Sequence, residues 1–365
     1  MTGEVEVLWQ RPKPVELIIW DEVGSQFLLA ALNPTSHHII RVRSSSIYLH
    51  PFIVWGMLIG ALTKRNTRYE VVIELFKPKV VVTFIDNDPT FHRLASRYSD
   101  VRFVAIQNGG RQGMSDEPLP IGPPATYDSE YFCFGQNEID SYKVIGYQFK
   151  KMEAVGSLKN ALFMQVMRDS TEGLYASERY DIVLISQFRR GISEPSPLLA
   201  LVEYKEVVSF LYSYLESRPR LRVSVALVSN SDDPDHDAEL LFHREGLGDT
   251  AILVPRSGDL MSGYLLTQQS DVVVAASSTL GFESLARGRK TLLCSSLYFE
   301  ALADRPHFTD WTLLRADQDT FDEAITKLLA MPRETFLLRN RKSINYVMVA
   351  AREDSIPELK KKVLG

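Results

Sequence analysis

Ser277, Ser278 and Thr279 stand directly after the apolar run Asp271-Val272-Val273-Val274-Ala275 and directly before Leu280-Gly281-Phe282-Glu283. Hydroxyl residues at the start of a helix add donors to backbone N–H groups that have no intrahelical partner, and the helix dipole favours an anion there. The chemistry this spacing predicts is phosphate binding. Gly281 would let a ligand approach the backbone. Glu283, about one turn on, offers a carboxylate to which two ribose hydroxyls could donate. The competing reading is a plain serine N-cap on a crossover helix.

Other candidates sit where apolar runs end. Ser186-Gln187-Phe188-Arg189-Arg190-Gly191 follows one such run, and Arg189 or Arg190 could pair bidentately with phosphate or carboxylate. Ser229 and Asn230 follow another run and are expected to contact base or ribose. Acid–base chemistry needs a carboxylate or imidazole within reach of the proton it moves. Asp21 and Glu22 follow Leu17-Ile18-Ile19-Trp20, and Asp86, Asp88 and His92 follow a Val-Val-Val run. Glu22 and Asp86 are the expected catalytic carboxylates, with Asp21 beside the substrate. Asp86-Asn87-Asp88 has an Asp-x-Asp spacing, but no metal and no other cofactor is expected. His236 and His243 lack the companions of a zinc site and read as surface residues.

These residues need strands to carry them. Val15–Trp20, His38–Arg43, Lys79–Ile85, Val101–Ile106, Tyr131–Gly135 and Glu153–Gly156 read as strands in the first half, with amphipathic segments between them. The second half restarts with strands at Asp181–Ser186, Arg222–Val228, Ile252–Val254, Asp271–Ala275 and Thr291–Cys294. Continuous apolar strands alternating with helices predict parallel sheets covered on both faces, so the chain is α/β with two Rossmann-like domains. A length of 365 residues also exceeds what one core sustains. The expected boundaries are 1–157, a crossing linker at 158–177, a second domain at 178–332, and a charged helical tail at 333–365.

A formal net charge of -5 argues against a nucleic-acid binder. Only Cys133 and Cys294 occur, each inside an apolar run, which predicts buried free thiols and a reducing compartment. The opening residues lack a signal-peptide pattern, so the expected location is cytoplasmic. Ile47 to Leu62 is the most apolar stretch, followed by Lys64, Arg65 and Arg68. It falls short of the ~20 residues of a spanning helix and reads as a buried helix; the alternative is peripheral contact with the inner face of the membrane.

The run from Ser277 through Gly288 resembles the nucleotide-binding segment of GT-B glycosyltransferases and sugar-nucleotide 2-epimerases. Ile106-Gln107-Asn108-Gly109 with Arg111, and Val155-Gly156-Ser157-Leu158, are similar to motifs of bacterial surface-carbohydrate biosynthesis proteins. The resemblance implies a GT-B-like arrangement of the two domains around a central cleft. The second domain would bind a nucleotide sugar, and Gln107, Asn108, Gly109 and Arg111 would contact the sugar or acceptor. A more distant similarity is to capsule and O-antigen transferases that use CMP-linked Kdo, whose acidic Glu-Asp-Gly loop is replaced here by Gln107-Asn108-Gly109. The implied activity is glycosyl transfer to a surface-polysaccharide or lipid-linked acceptor, with a CMP-linked acidic sugar favoured and UDP- or GDP-sugars open. The alternatives are a sugar-nucleotide 2-epimerase, or a non-catalytic sugar-nucleotide-binding protein of a polysaccharide assembly complex.

Overall fold

A computed structural model describes residues 5–7, 12–42, 47–49, 51–62, 68–110, 125–169, 179–189, 199–257, 261–295 and 310–365. They divide into two units: Met1–Asn108, Pro118–Leu162 and Arg352–Gly365 form the first, Gly109–Glu117 and Phe163–Ala351 the second.

In the first unit β1 (Val5–Val7) and β4 (Ile47–Leu49) form a separate parallel pair. The main sheet is built from β2 (Leu17–Trp20), β3 (His37–Ile40), β5 (Val80–Thr83), β6 (Arg102–Ile106), β7 (Thr126–Cys133) and β8 (Gln148–Ala154). All pairs are parallel, in the order β3-β2-β5-β6-β7-β8. Every residue of β2 and β5 is buried, as expected of strands covered on both faces. The direction of winding reverses between β2 and β5, whose carboxyl ends carry Asp21-Glu22 and Asp86. Such a reversal point is where open α/β sheets place their ligands.

Helices α1 (Ser25–Leu32), α2 (Pro51–Leu62), α3 (Arg68–Phe76), α4 (Pro89–Ala95) and α5 (Gln136–Ile145) belong to this unit. Asp88 caps α4, accepting from the Thr90 amide at 2.8 Å, with Pro89 at the first helical position. Helix α2 departs from the buried helix expected of it. Ile53 is buried and Gly56 abuts Val71, yet Phe52, Val54, Trp55, Met57 and Leu58 are exposed, Trp55 by 65%. An all-apolar helix offers no polar face to turn outward, so packing one side on α3 leaves the others in view. No helix among the described residues is long and apolar enough to cross a membrane.

Helix α6 (Leu158–Asp169) begins in the first unit and enters the second. The second sheet comprises β9 (Tyr180–Ile185), β10 (Val223–Ala226), β11 (Ala251–Val254), β12 (Ser270–Ala275), β13 (Lys290–Cys294) and β14 (Thr312–Leu313). It is wholly parallel in the order β11-β10-β9-β12-β13-β14, the 3-2-1-4-5-6 winding of a Rossmann fold. Its reversal lies between β9 and β12. Helices α7 (Leu199–Glu216), α8 (His236–Leu247), α9 (Ser262–Gln268), α10 (Thr279–Ala286), α11 (Gln318–Ala330) and α12 (Arg333–Val347) surround it.

The last helix, α13 (Ser355–Leu364), returns to the first unit. Arg102 donates to the carbonyls of Lys362 and Val363, and the Lys362 ammonium lies 2.6 Å from Glu153.

Candidate functional site

In the second unit, the loops after β9 and β12 meet at the reversal point. Gln187 joins them: its Oε1 accepts from the Ser277 amide at 2.8 Å, and its Nε2 donates to Ser277 Oγ at 3.2 Å. Beside this clamp lies a cavity of about 550 Å³ bordered by Ser186, Gln187, Arg189, Val228, Ser278 and Thr279, among others. That is within the size range of small-ligand sites. Ser278 is the N-cap of α10 and makes no side-chain cap bond, so the amino end of the helix has its hydroxyl and first-turn amides at the cavity. Arg189 is exposed at the rim. No carboxylate and no imidazole lines the cavity among the described residues. The arrangement can hold a phosphate by hydroxyls, helix dipole and guanidinium, but supplies no proton-transfer group of its own.

A buried cluster sets the walls. Glu239 of α8 accepts from the amides of Val228 at 2.9 Å and Ser229 at 2.9 Å, and from the Ser186 hydroxyl. His243, one turn further along α8, places Nε2 3.1 Å from Ser186 Oγ and 3.3 Å from the Tyr204 hydroxyl. Burial holds the His243 imidazole down to about 4. The expectation that His243 lies on the surface is therefore corrected: it has no exposed area, because it shares the inward face of α8 with Glu239 and Leu247 and meets Ser186. His236 instead meets Ser229 Oγ at 2.9 Å. Glu239 and His243 were readable only as an i, i+4 pair on one helix face.

The other residues expected at the nucleotide lie as follows. Asn230 is exposed, and its side-chain oxygen accepts from the Asp232 amide at 3.0 Å, fixing a turn. A Cβ at Gly281 would come within 2.7 Å of Leu293 and 3.3 Å of the Ala275 Cβ. The missing side chain thus serves close packing of α10 on the sheet rather than ligand approach. Glu283 is buried and accepts from the Tyr264 hydroxyl at 2.6 Å, away from the cavity lining. Arg287 completes that group, stacked 4.9 Å from the Tyr264 ring and 5.1 Å from Phe163, and burial pushes its guanidinium down to about 10. Arg111 and Arg190 lie outside the described residues.

In the first unit, Asp21 is buried with φ of 83°, a left-handed backbone that costs a non-glycine residue about 1–3 kcal/mol. Its carboxylate accepts from the Val23 amide at 3.2 Å, closing a tight turn that ends at Gly24, also left-handed. Strained backbone at the carboxyl end of a central strand is characteristic of functional sites. The turn leaves Glu22 exposed, 3.5 Å from Arg41.

Asp86 has no exposed area. It accepts from the Tyr131 hydroxyl at 2.5 Å and from the Asn108 amide at 3.4 Å. Gln107 is likewise buried, accepting from the Phe134 amide at 2.8 Å and donating to Glu138 at 3.3 Å. Both therefore hold the loop after β6, and neither has more than 1% of its surface exposed. Asn108 is half-buried. Gly109 and Gly110 group with the second unit, where the Gly110 amide donates to Thr279 Oγ1 at 2.9 Å. His92 is buried, its Nε2 2.7 Å from the Asp86 carbonyl and its Nδ1 2.8 Å from Ser129 Oγ. A carbonyl only accepts, so Nε2 carries the proton, and burial lowers the imidazole pKa. Asp88 accepts from the Trp20 indole at 2.7 Å. No group of three His, Cys, Asp or Glu side chains suited to a metal occurs among the described residues.

No family model matches the chain, and no curated protein matches its sequence. Solved structures do resemble it. The UDP-GlcNAc 2-epimerase of Methanocaldococcus jannaschii, in complex with UDP-GlcNAc and UDP, has a TM-score of 0.56 at 14% identity over 96% of this chain and 99% of that one. The Neisseria meningitidis UDP-GlcNAc 2-epimerase bound to UDP-GlcNAc has 0.56 at 13% identity over 96% and 99%. Sucrose-phosphate synthase from Thermosynechococcus elongatus has 0.54 at 11% identity over 97% and 98%. The fold is thus GT-B-like, two Rossmann-like α/β domains, and at these identities the likeness shows the fold alone.

Proposed function

We propose that the protein is a glycosyltransferase whose second domain binds a nucleotide sugar, the sugar passing to a glycan or glycolipid acceptor in surface-polysaccharide assembly. The observation that carries this reading is the cavity at the β9/β12 reversal, with the Gln187 clamp, the Ser277-Ser278-Thr279 hydroxyls and Arg189 beside the amino end of α10. Its described lining can hold phosphate and carries no carboxylate or imidazole. A transferase can take its base from elsewhere, and Glu22, exposed at the end of β2, is the candidate to accept the acceptor proton. Asp86 and Gln107 position the loop that presents Asn108.

UDP-sugars are the first donors to test, since structures of similar fold are bound to UDP or UDP-GlcNAc. CMP-linked acidic sugars are the second, on the strength of the sequence resemblance.

The same neighbours favour a second reading, a UDP-sugar 2-epimerase. The two differ in what they need: transfer requires an acceptor, whereas epimerisation inverts C2 in its absence. Incubation with UDP-GlcNAc, and separately CMP-Kdo, with and without lipid-linked oligosaccharide, followed by NMR, separates them. Nucleotide release that rises with acceptor supports transfer. A C2 epimer formed without acceptor replaces it with the second reading, and neither product defeats both. Under the transferase reading, Glu22→Gln lowers turnover ~100-fold or more while nucleotide affinity is retained. Full turnover in that variant removes Glu22 from the chemistry.

A further inference from the structure

At the other end of the second sheet lies a separate cavity of about 300 Å³, lined by Asp271, Arg289, Lys290, Met331 and Arg333 among others. Asp271 and Lys290 stand at the amino ends of β12 and β13, whereas Ser277 follows the carboxyl end of β12. A six-residue strand rises roughly 20 Å, so the two cavities are distinct. We propose that this cavity binds a phosphate group, either free or carried by a small sugar phosphate.

Three cations meet one carboxylate there, in a chain whose net charge is -5. Backbone carbonyls account for part of this charge. Lys290 donates to Met331 O at 3.0 Å and Leu329 O at 3.4 Å, at the end of α11, and Arg333 donates to Gly288 O at 2.8 Å and Arg287 O at 3.2 Å, at the end of α10. These are ordinary helix C-terminal contacts. They do not account for Arg289. One of its terminal nitrogens donates to Ser270 O, but its Nε is buried with no acceptor. A buried donor left unmade costs about 1–3 kcal/mol unless something accepts from it. Burial, and then the charge of Arg333, push the Arg289 guanidinium down to about 10. A dianion in the cavity would meet the guanidinium groups of Arg289 and Arg333 together and offset their like charge. Arginine's planar fork suits phosphate oxygens, and the volume accommodates a phosphate with a small sugar attached.

The test is calorimetric titration of the full chain at fixed ionic strength with inorganic phosphate and with glucose 6-phosphate, using chloride as the control. The expected result is saturable binding of at least one of the two phosphates, weakened tenfold or more in Arg289→Ala and in Arg333→Ala and retained in Arg189→Ala. The two probes tell a free ion from a sugar-borne group. Absence of saturable binding of both overturns the proposal, as does a stoichiometry and affinity left unchanged by both cavity variants. Loss in Arg189→Ala alone would move the phosphate to the Ser277 cavity and also overturn it. If Arg289→Ala fails to fold, Arg333→Ala decides. Any binding at the Ser277 cavity is the part lost in Arg189→Ala, so the two sets of variants distinguish this proposal from the proposed function.

Discussion

Glu239 and His243 hold the walls of the nucleotide-sized cavity from beneath, and their chemistry makes that support sensitive to pH. The folded imidazole of His243 titrates at about 4, below the ordinary value of 6.5. Above 6.5 it is neutral in both folded and unfolded chains. As pH falls through this window the unfolded chain takes up a proton that the folded chain does not, so stability is lost, by about 3 kcal/mol in full. Between about pH 7 and about pH 4.5, the wild type should therefore lose about 2 kcal/mol more in urea unfolding than His243→Gln, which keeps a donor toward Ser186. Equal losses would show that the imidazole is not held neutral. The hydroxyl run Ser277–Thr279 was legible in the sequence because capping chemistry is local. The Glu239 cluster was not, because an acid and an imidazole on a helix look solvent-facing until the strand loops they hold are placed beside them.

At the scale of elements, α10 carries most of the site and is fixed by how closely it packs. Gly281→Ala gains about 1 kcal/mol in helix propensity, yet its Cβ would sit 2.7 Å from Leu293 and 3.3 Å from Ala275. Overpacking of about 1–3 kcal/mol outweighs the gain. The expected outcome is a lower denaturation midpoint; an unchanged or raised midpoint would mean that Leu293 yields freely. The buried strands β2, β5, β9 and β12 were plain in the sequence, since continuous Val and Ile runs have few other uses in a parallel sheet. The edge strand β8 was placed too short. Gln148-Phe149-Lys150-Lys151-Met152 carries three exposed polar residues, because the strand pairs on one side only at the sheet edge and keeps them in water. Helix α5 went unread for a related reason: only Asn137, Glu138, Ile139 and Tyr142 are buried, too sparse an apolar stripe to register.

For the whole molecule, the return of α13 to the first unit makes that unit depend on the end of the chain. A chain ending at Ala351 loses both Arg102 contacts to the helix backbone, the Lys362–Glu153 pair, and burial of Leu359 and Val363. Hydrogen exchange should then quicken in β2, β5 and β6 and stay unchanged in β9, β10 and β12. Unaltered protection in the first sheet would show that the helix is dispensable. Two Rossmann-like sheets were foreseeable from alternating strands and helices, but membership of a distant helix was not, since a charged amphipathic tail suits any surface.

The central claim is that the β9/β12 cavity is a nucleotide-sugar site, and calorimetric titration of UDP, CMP and GDP into wild type and Gln187→Ala tests it most directly. One nucleotide should bind wild type saturably, and its affinity should fall about tenfold in Gln187→Ala, whose loop loses both contacts with Ser277. Absence of binding by every nucleotide, or equal affinity in the two proteins, would contradict the assignment.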